Sequence, residues 1–455
     1  MNTYSVVPKS SDSVRIGVGA GFAGDRLQPA ELLANHGNLD ALVFECLAER
    51  TIALAQQNKA NGKSQGFDQK LIERLRGTLP GLLAGGGLAV TNGGAANPVG
   101  AALAVAAATQ DLTKRPIAVA AVTGDDVLAE LDIDASMVLE TGESLAKYRD
   151  RIVSANAYLG ASGVIEAAAT GADVIITGRT SDAALFSGAL SAKLGWSIED
   201  RANQATGILV GHLLECAGQL TGGYFADGVN KNVPKLWDLG FPMADVSASG
   251  NVTLHKLLGS GGLLNRQTVL EQLLYEVENP HRYITPDLSV DFSNVAITDH
   301  GSDSVAVSGA TFVSVPATLK VSVGIRDGYA ATGSIVYGGS RSIERATIAA
   351  NIVRDRWVAV YGRPSEDVDC HFVGINSTFP WTTEIPDSAP EVMLKFSLRT
   401  FEERVAIEFC REIEALYTNG PAGGGGANAS YTETIGILST LIPRDAVEQK
   451  VQVFK

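Results

Sequence analysis

Residues 173–186 read DVIITGRTSDAALF, and they set the expected fold. The apolar run 173–177 predicts a buried strand, and the polar, glycine-bearing GRTSD that follows predicts a loop at its end. The same order of strand, glycine loop and helix recurs upstream. A strand at 13–18 precedes GAGFAGDR and a helix near 30–35, and a strand at 40–45 (DALVFE) precedes a helix at 50–58. A strand at 88–91 precedes NGGAANP and an alanine-rich buried helix at 99–109. A strand at 117–122 (IAVAAV) closes on TGDD, and one at 151–154 precedes NAYLGASG and a helix at 164–170. Continuously apolar strands alternating with helices indicate a parallel sheet covered on both faces. The expectation is α/β: a doubly wound, mostly parallel sheet domain over 13–250.

The pattern changes beyond this. Segments 290–298, 304–312, 318–325 and 329–338 read as half-buried strands, 342–360 as a helix, 391–399 as a strand and 400–417 as a helix. This order predicts a smaller α+β domain with antiparallel strands over 285–455, joined by a connecting segment at 251–284. It is expected to end in a glycine-rich loop.

Composition narrows the function classes. The 455 residues carry 36 Lys and Arg against 50 Asp and Glu, a net charge of −14. A nucleic-acid or anionic-membrane partner is not expected, because phosphates need cations to neutralise them. Hydrophobic residues at 45% with 19% charged residues supply an ample core. The apolar run 99–109 is far shorter than the roughly 20 residues of a membrane span. The first residues, MNTYSVVPKSSDSVRIG, lack a basic flank and apolar run, so no secretory signal is read. Four scattered cysteines without a CxxC pair predict reduced thiols and a cytoplasmic protein.

Five loops carry candidate chemistry. Gly19-Ala-Gly21-Phe-Ala-Gly24 matches GxGxxG after a strand, with Glu45 at the end of the next. That is the context of a dinucleotide fingerprint. Asp25, which would repel phosphate, and Pro29, which delays the helix, favour a tight turn instead. In the second loop, Asn92, Gly93, Gly94 and Asn97 precede Pro98; Asn97 is a good N-cap, and free amides there suit a carboxylate or phosphate. In the third, Arg179 offers a fork for a carboxylate, or an ion pair with Asp182. In the fourth, His212 and Glu215 lie three apart on one helix face, as an acid–base couple or a buried structural pair. Gln219 and Thr221 follow, and Cys216 lacks an obvious activating base. In the fifth, Asn419 ends a helix before Gly423 and Gly424, in a linker or a ligand-covering loop. Asn156 in NAYLGASG joins the substrate-binding candidates. Glu49 and Arg50 fit either the same crevice or a solvated helix start.

Taken together, RIGVGAGFAGDR, LVFECLAERTIALAQ, VTNGGAANP, SANAYLGA, ADVIITGRTSDA, GHLLECAGQLTGG, LLYEV and LYTNGPAGGGG resemble the acyclic terpene utilisation (AtuA-like) family from about Arg15 to Pro443. One block departs: HKLLGSGG at 255–262 stands where many members carry Lys-His-Pro-Gly-Thr-Gly-Gly. The resemblance implies bacterial breakdown of acyclic terpenes and related branched acids, often as CoA thioesters. It implies a lyase or hydratase without a nicotinamide cofactor, CoA entering only as part of the substrate. The expected roles are acid–base work by His212, Glu215, Glu45 or Asp182, and substrate contacts from Gly21, Asn92, Gly93, Gly94, Asn97, Asn156, Arg179, Gln219, Thr221, Asn419, Gly423 and Gly424. No metal site is read. Gly93, Arg179, His212 and Gly423 are expected to share one anion-receiving hollow. A homo-oligomer is expected, and a small separate partner chain is a further expectation. Two other classes stand beside the enzyme: a non-catalytic or partner-dependent binding subunit, and a dinucleotide-dependent enzyme.

Overall fold

The computed structural model describes residues 4–378 and 389–455. The chain divides into two compact units, Met1–Gly324 with Ile437–Lys455, and Ile325–Gly436.

The first unit is built on a ten-stranded sheet. Its centre holds β1 (Ser13–Ala20), β2 (Ala41–Phe44), β3 (Leu88–Thr91), β4 (Val119–Thr123) and β6 (Val174–Thr177), in the order β1-β2-β3-β6-β4. β5 (Ile152–Ala157) lies outside this sheet. β2, β3 and β6 are buried throughout, which is why they read as unbroken apolar runs. The strand contributed by 173–177 therefore sits in the middle of the sheet.

A mostly parallel, doubly wound sheet is not what forms. Among the described residues, four neighbouring pairs are parallel and five antiparallel. Pro242–Ser247 pairs antiparallel with β1 and passes the sheet on to Val252–Lys256, Ser304–Ser308 and Ala296–Asp299. Lys450–Phe454 pairs antiparallel with β4 at the other edge. The fold is thus mixed α/β. The expected strand 290–298 is really two, Ser289–Asp291 and Ala296–Asp299, in different sheets. The same is true of 304–312, which divides into Ser304–Ser308 and Thr311–Ser314. Asn294 and Gly309 turn the chain between the halves; Gly309 has φ +99° and lies against the Asn294 carbonyl, where a side chain would not fit.

Helices fall close to their predicted places, and Pro98–Ala108 shows why. Asn97 Oδ1 accepts from the Gly100 amide at 3.0 Å, and Pro98 occupies the first turn. The helix is buried on one face only: Ala101, Ala102 and Val105 are inside while Leu103 is exposed. Helix Leu71–Ala84 escapes the sequence pattern because Gly77, Pro80 and Gly81 interrupt it.

In the second unit, helices Ser342–Ala359 and Glu403–Asn419 share a core with its sheet, where Trp357 meets Phe409 edge-on at 5.8 Å. The predicted strands 318–325 and 329–338 are one strand, Thr318–Gly338, whose residues are divided between the units. Part of segment 342–399 lies outside the described residues, at 379–388.

Candidate functional site

The carboxyl ends of the central strands open onto one cavity of about 1580 Å³ within the first unit. Gly21 follows β1, Glu45 follows β2, and Arg179 and Asp182 follow β6; all four line it. Strand carboxyl ends are where α/β sheets collect their ligands. Glu215, at the end of helix Arg201–Leu214, closes the same wall.

Each of these side chains is held by a specific framework. The Glu45 amide donates to Ala20 O at 2.9 Å, which keeps the strand end extended beside β1. Glu45 Oε1 then accepts from the Leu47 amide at 2.8 Å and from Asn92 Nδ2 at 3.0 Å. Burial, reinforced by the nearby Asp182, pushes Glu45 up to about 8. Asn92 Oδ1 accepts in turn from the Cys46 amide at 2.7 Å, so Asn92 ties the β3 loop to the β2 loop.

Arg179 is 5% exposed. Its Nη1 donates to Leu47 O at 2.5 Å and lies 3.4 Å from Asp182 Oδ1, and its guanidinium sits 4.2 Å from the centre of the Tyr158 ring. Among the described residues no hydrogen bond engages its Nη2. Asp182 also accepts from the Tyr158 hydroxyl at 3.0 Å, yet burial keeps its carboxyl above the usual range. Asp125 shapes the loop: its Oδ2 accepts from the Arg179 amide and from Asn156 Nδ2, both at 2.9 Å. Asn156 thus supports Arg179 from behind rather than touching the cavity. Gly178 is required there, because a Cβ would lie 2.3 Å from Asp125 Oδ1.

Glu215 Oε1 lies 3.1 Å from His212 Nδ1, and burial pushes the carboxyl up to about 7. His212 is buried behind it and does not line the cavity. Gly21 approaches the Cys216 backbone so closely that a Cβ would meet it at 2.6 Å. Burial raises the Cys216 thiol well above its ordinary value, and the Cys46 thiol likewise, so neither is an activated nucleophile.

The remaining expected contacts lie elsewhere. Gly93, Gly94, Asn97, Gln219 and Thr221 are not among the lining residues. The Gly93 amide donates to Thr91 Oγ1, a Cβ on Gly94 would meet Thr177 O at 2.6 Å, and Thr221 donates to Gly240 O at 2.7 Å. Gly93, Gly94, Asn97 and Thr221 are thus engaged in packing and capping. Asn419, Gly423 and Gly424 belong to the second unit. There Asn419 Nδ2 donates to Ala415 O, and the glycine run turns directly into strand Gly424–Pro443 instead of forming a linker. Of Gly93, Arg179, His212 and Gly423, Arg179 alone lines the cavity. In the first loop the Gly21 amide donates to Asp25 Oδ2 at 2.7 Å, so Asp25 occupies the donor a pyrophosphate would need. In the departing block, Lys256 pairs with Asp303 at 3.0 Å and His255 lies 3.5 Å from Asp245.

Sequence reasoning missed Tyr158 and Asp125, although both stand beside glycine loops that it had singled out. Among the described residues no group of three or more His, Cys, Asp or Glu is arranged to hold a metal, and no helix is long and apolar enough to cross a membrane.

A mixed α/β protein with carboxyls and a buried arginine, Arg179, gathered at a cavity wall is the class that fold and site define. The chain belongs to the acyclic terpene utilisation family: the model of the acyclic terpene utilisation family protein AtuA matches residues 14–453. No curated protein and no solved structure matches it significantly.

Proposed function

We propose that this chain is a catabolic enzyme of acyclic terpene utilisation, a lyase or hydratase for a branched hydroxycarboxylate or its CoA thioester. The observation that carries the reading is the proton state of the cavity wall. Glu215 at about 7 and Glu45 at about 8 lie at and just above neutrality, and burial raises Asp182 although Arg179 stands beside it. Carboxyls that exchange protons near the working pH are what general acid–base catalysis requires. In the dehydration direction, a carboxylate takes the proton next to the carbonyl. The C–O bond to the neighbouring hydroxyl breaks, and a neutral carboxyl protonates the departing oxygen as water. Glu45 is suited to the acid role, since it retains its proton at pH 7. Arg179 Nη2 is suited to a substrate carboxylate or thioester oxygen. The cavity exceeds the roughly 300–1,000 Å³ of ordinary small-molecule pockets, which leaves room for a carrier arm.

The test is a screen of the purified chain in deuterated water against branched hydroxyacyl and unsaturated acyl compounds, free and as CoA thioesters, read by mass spectrometry. Turnover with deuterium beside the carbonyl is expected, and Glu45→Gln should lower it by about 10²–10⁴-fold. Binding without exchange, with turnover restored by an added partner chain, would favour the binding-subunit reading instead.

A further inference from the structure

We propose that His212 is the positioning residue of this cavity, holding one proton jointly with Glu215, and that the proton resides on Glu215, so that the cavity faces a neutral carboxyl. This deepens the acid–base reading and rests on it for its purpose. The geometry follows from donor bookkeeping around a ring that is 1% exposed. His212 Nε2 lies 3.1 Å from Leu273 O, and a carbonyl only accepts, so Nε2 carries a hydrogen. Nδ1 lies 3.1 Å from Glu215 Oε1. Two carboxylate and imidazole lone pairs would repel at that distance, so one proton lies between them.

That proton could sit on either partner, and the surroundings of Glu215 decide. Its Oε2 is buried with no hydrogen-bond partner among the described residues, a poor setting for a full carboxylate. Besides His212, the charged groups that act on it most are the acids Asp182 and Glu276; the cations Arg179, paired with Asp182, and Arg282 line the same cavity. Tyr158, Tyr283 and Cys216 also face it, each with its own proton held more firmly by burial. On the other side, the rings of Tyr283 and Phe292 pack at 4.9 and 5.6 Å from the imidazole and fix its plane. Burial disfavours a charged His212, although the bond to Glu215 raises its affinity for a proton overall. Oε2 without a donor tips the balance to the neutral pair.

The experiment is nitrogen NMR of the full chain labelled at its six histidines, across about pH 6 to 8. His212→Asn identifies the resonance, and should that variant not fold, the signal that Glu215→Gln moves identifies it. The expected result at pH 7 is a neutral ring with Nε2 protonated and Nδ1 bare. In Glu215→Gln the same tautomer should persist, with the amide now donating to Nδ1. The ring's pKa should fall by about one unit or more, because the Glu215 bond and charge that opposed burial are gone and only the ring's backbone contacts remain against it. An imidazolium at pH 7, or a hydrogen on Nδ1 of a neutral ring, would overturn the proposal. The spectrum needs no substrate: a chain without turnover but with the neutral pair removes the enzyme reading alone, and an imidazolium in an active chain removes this proposal alone.

Discussion

Glu45 in the first unit and Glu412 in the second are the same side chain with nearly the same exposed surface, 8% and 7%, although Glu45 is packed much more deeply and its carboxyl is far more desolvated. Their proton affinities move in opposite directions. Glu412 accepts from Arg356 at 2.6 and 3.0 Å and from the Tyr361 hydroxyl at 2.7 Å, and the arginine holds it below the usual carboxylate range. Glu45 has only neutral donors, and burial lifts it to about 8. A buried carboxyl given a cation serves the fold, whereas one left with neutral donors and a carboxylate neighbour has a proton to exchange.

Arg179→Met tests this contrast most severely. It strips the cation from Asp182 and a donor from Leu47 O, and should cost about 3–5 kcal/mol in urea unfolding. A loss below about 1 kcal/mol would show that Asp182 is already neutral and needs no counter-ion. Gly21→Ala should come next, at about 1–3 kcal/mol, because the added carbon strikes the Cys216 backbone. Ligand binding in the cavity should weaken with it, which calorimetry would detect.

The paired amides Glu45→Gln and Glu412→Gln sharpen the contrast through pH. Glu412 is lowered, so its contribution is present above its ordinary value of 4.5 and is lost as pH falls through the folded value. Glu412→Gln should cost about 1–2 kcal/mol at pH 7 and little in acid. Glu45 is raised, so its contribution is present below 4.5 and is lost as pH rises through about 8. Glu45→Gln should therefore gain on the parent chain as pH climbs towards 9, measured by thermal unfolding. Parallel pH curves for the two variants would erase the distinction. The smallest effect is Asn97→Ala, about 1 kcal/mol from the lost cap, with no change at the cavity.

Much of the local structure was legible. β3 spans the residues its apolar run predicted, and helix Ser342–Ala359 ends one residue short of its expected bound. Arg179, Asp182, Glu45 and Glu215 could be picked out because they stand at strand or helix ends beside glycine loops. The polar groups of NGGAANP look free in sequence, but in the fold Asn92 Oδ1 meets the distant Cys46 amide, while the Gly93 amide and Asn97 Oδ1 find partners two and three residues away.

The sequence alone determined many of the strands, caps and turns of the first unit, since periodicity, proline and glycine act within a few residues, but it ran across the breaks at 292–295 and 309–310 and missed helix Leu71–Ala84. The tertiary structure decided strand direction at the sheet edges, and which acid meets a cation. Strand direction depends on partners far along the chain, such as β1 with Pro242–Ser247. So does the proton affinity of Glu45, which burial raises first, Asp182 raises further and Asn92 lowers, the last two lying 137 and 47 positions away. Desolvation and charge act through space, and no local pattern encodes them.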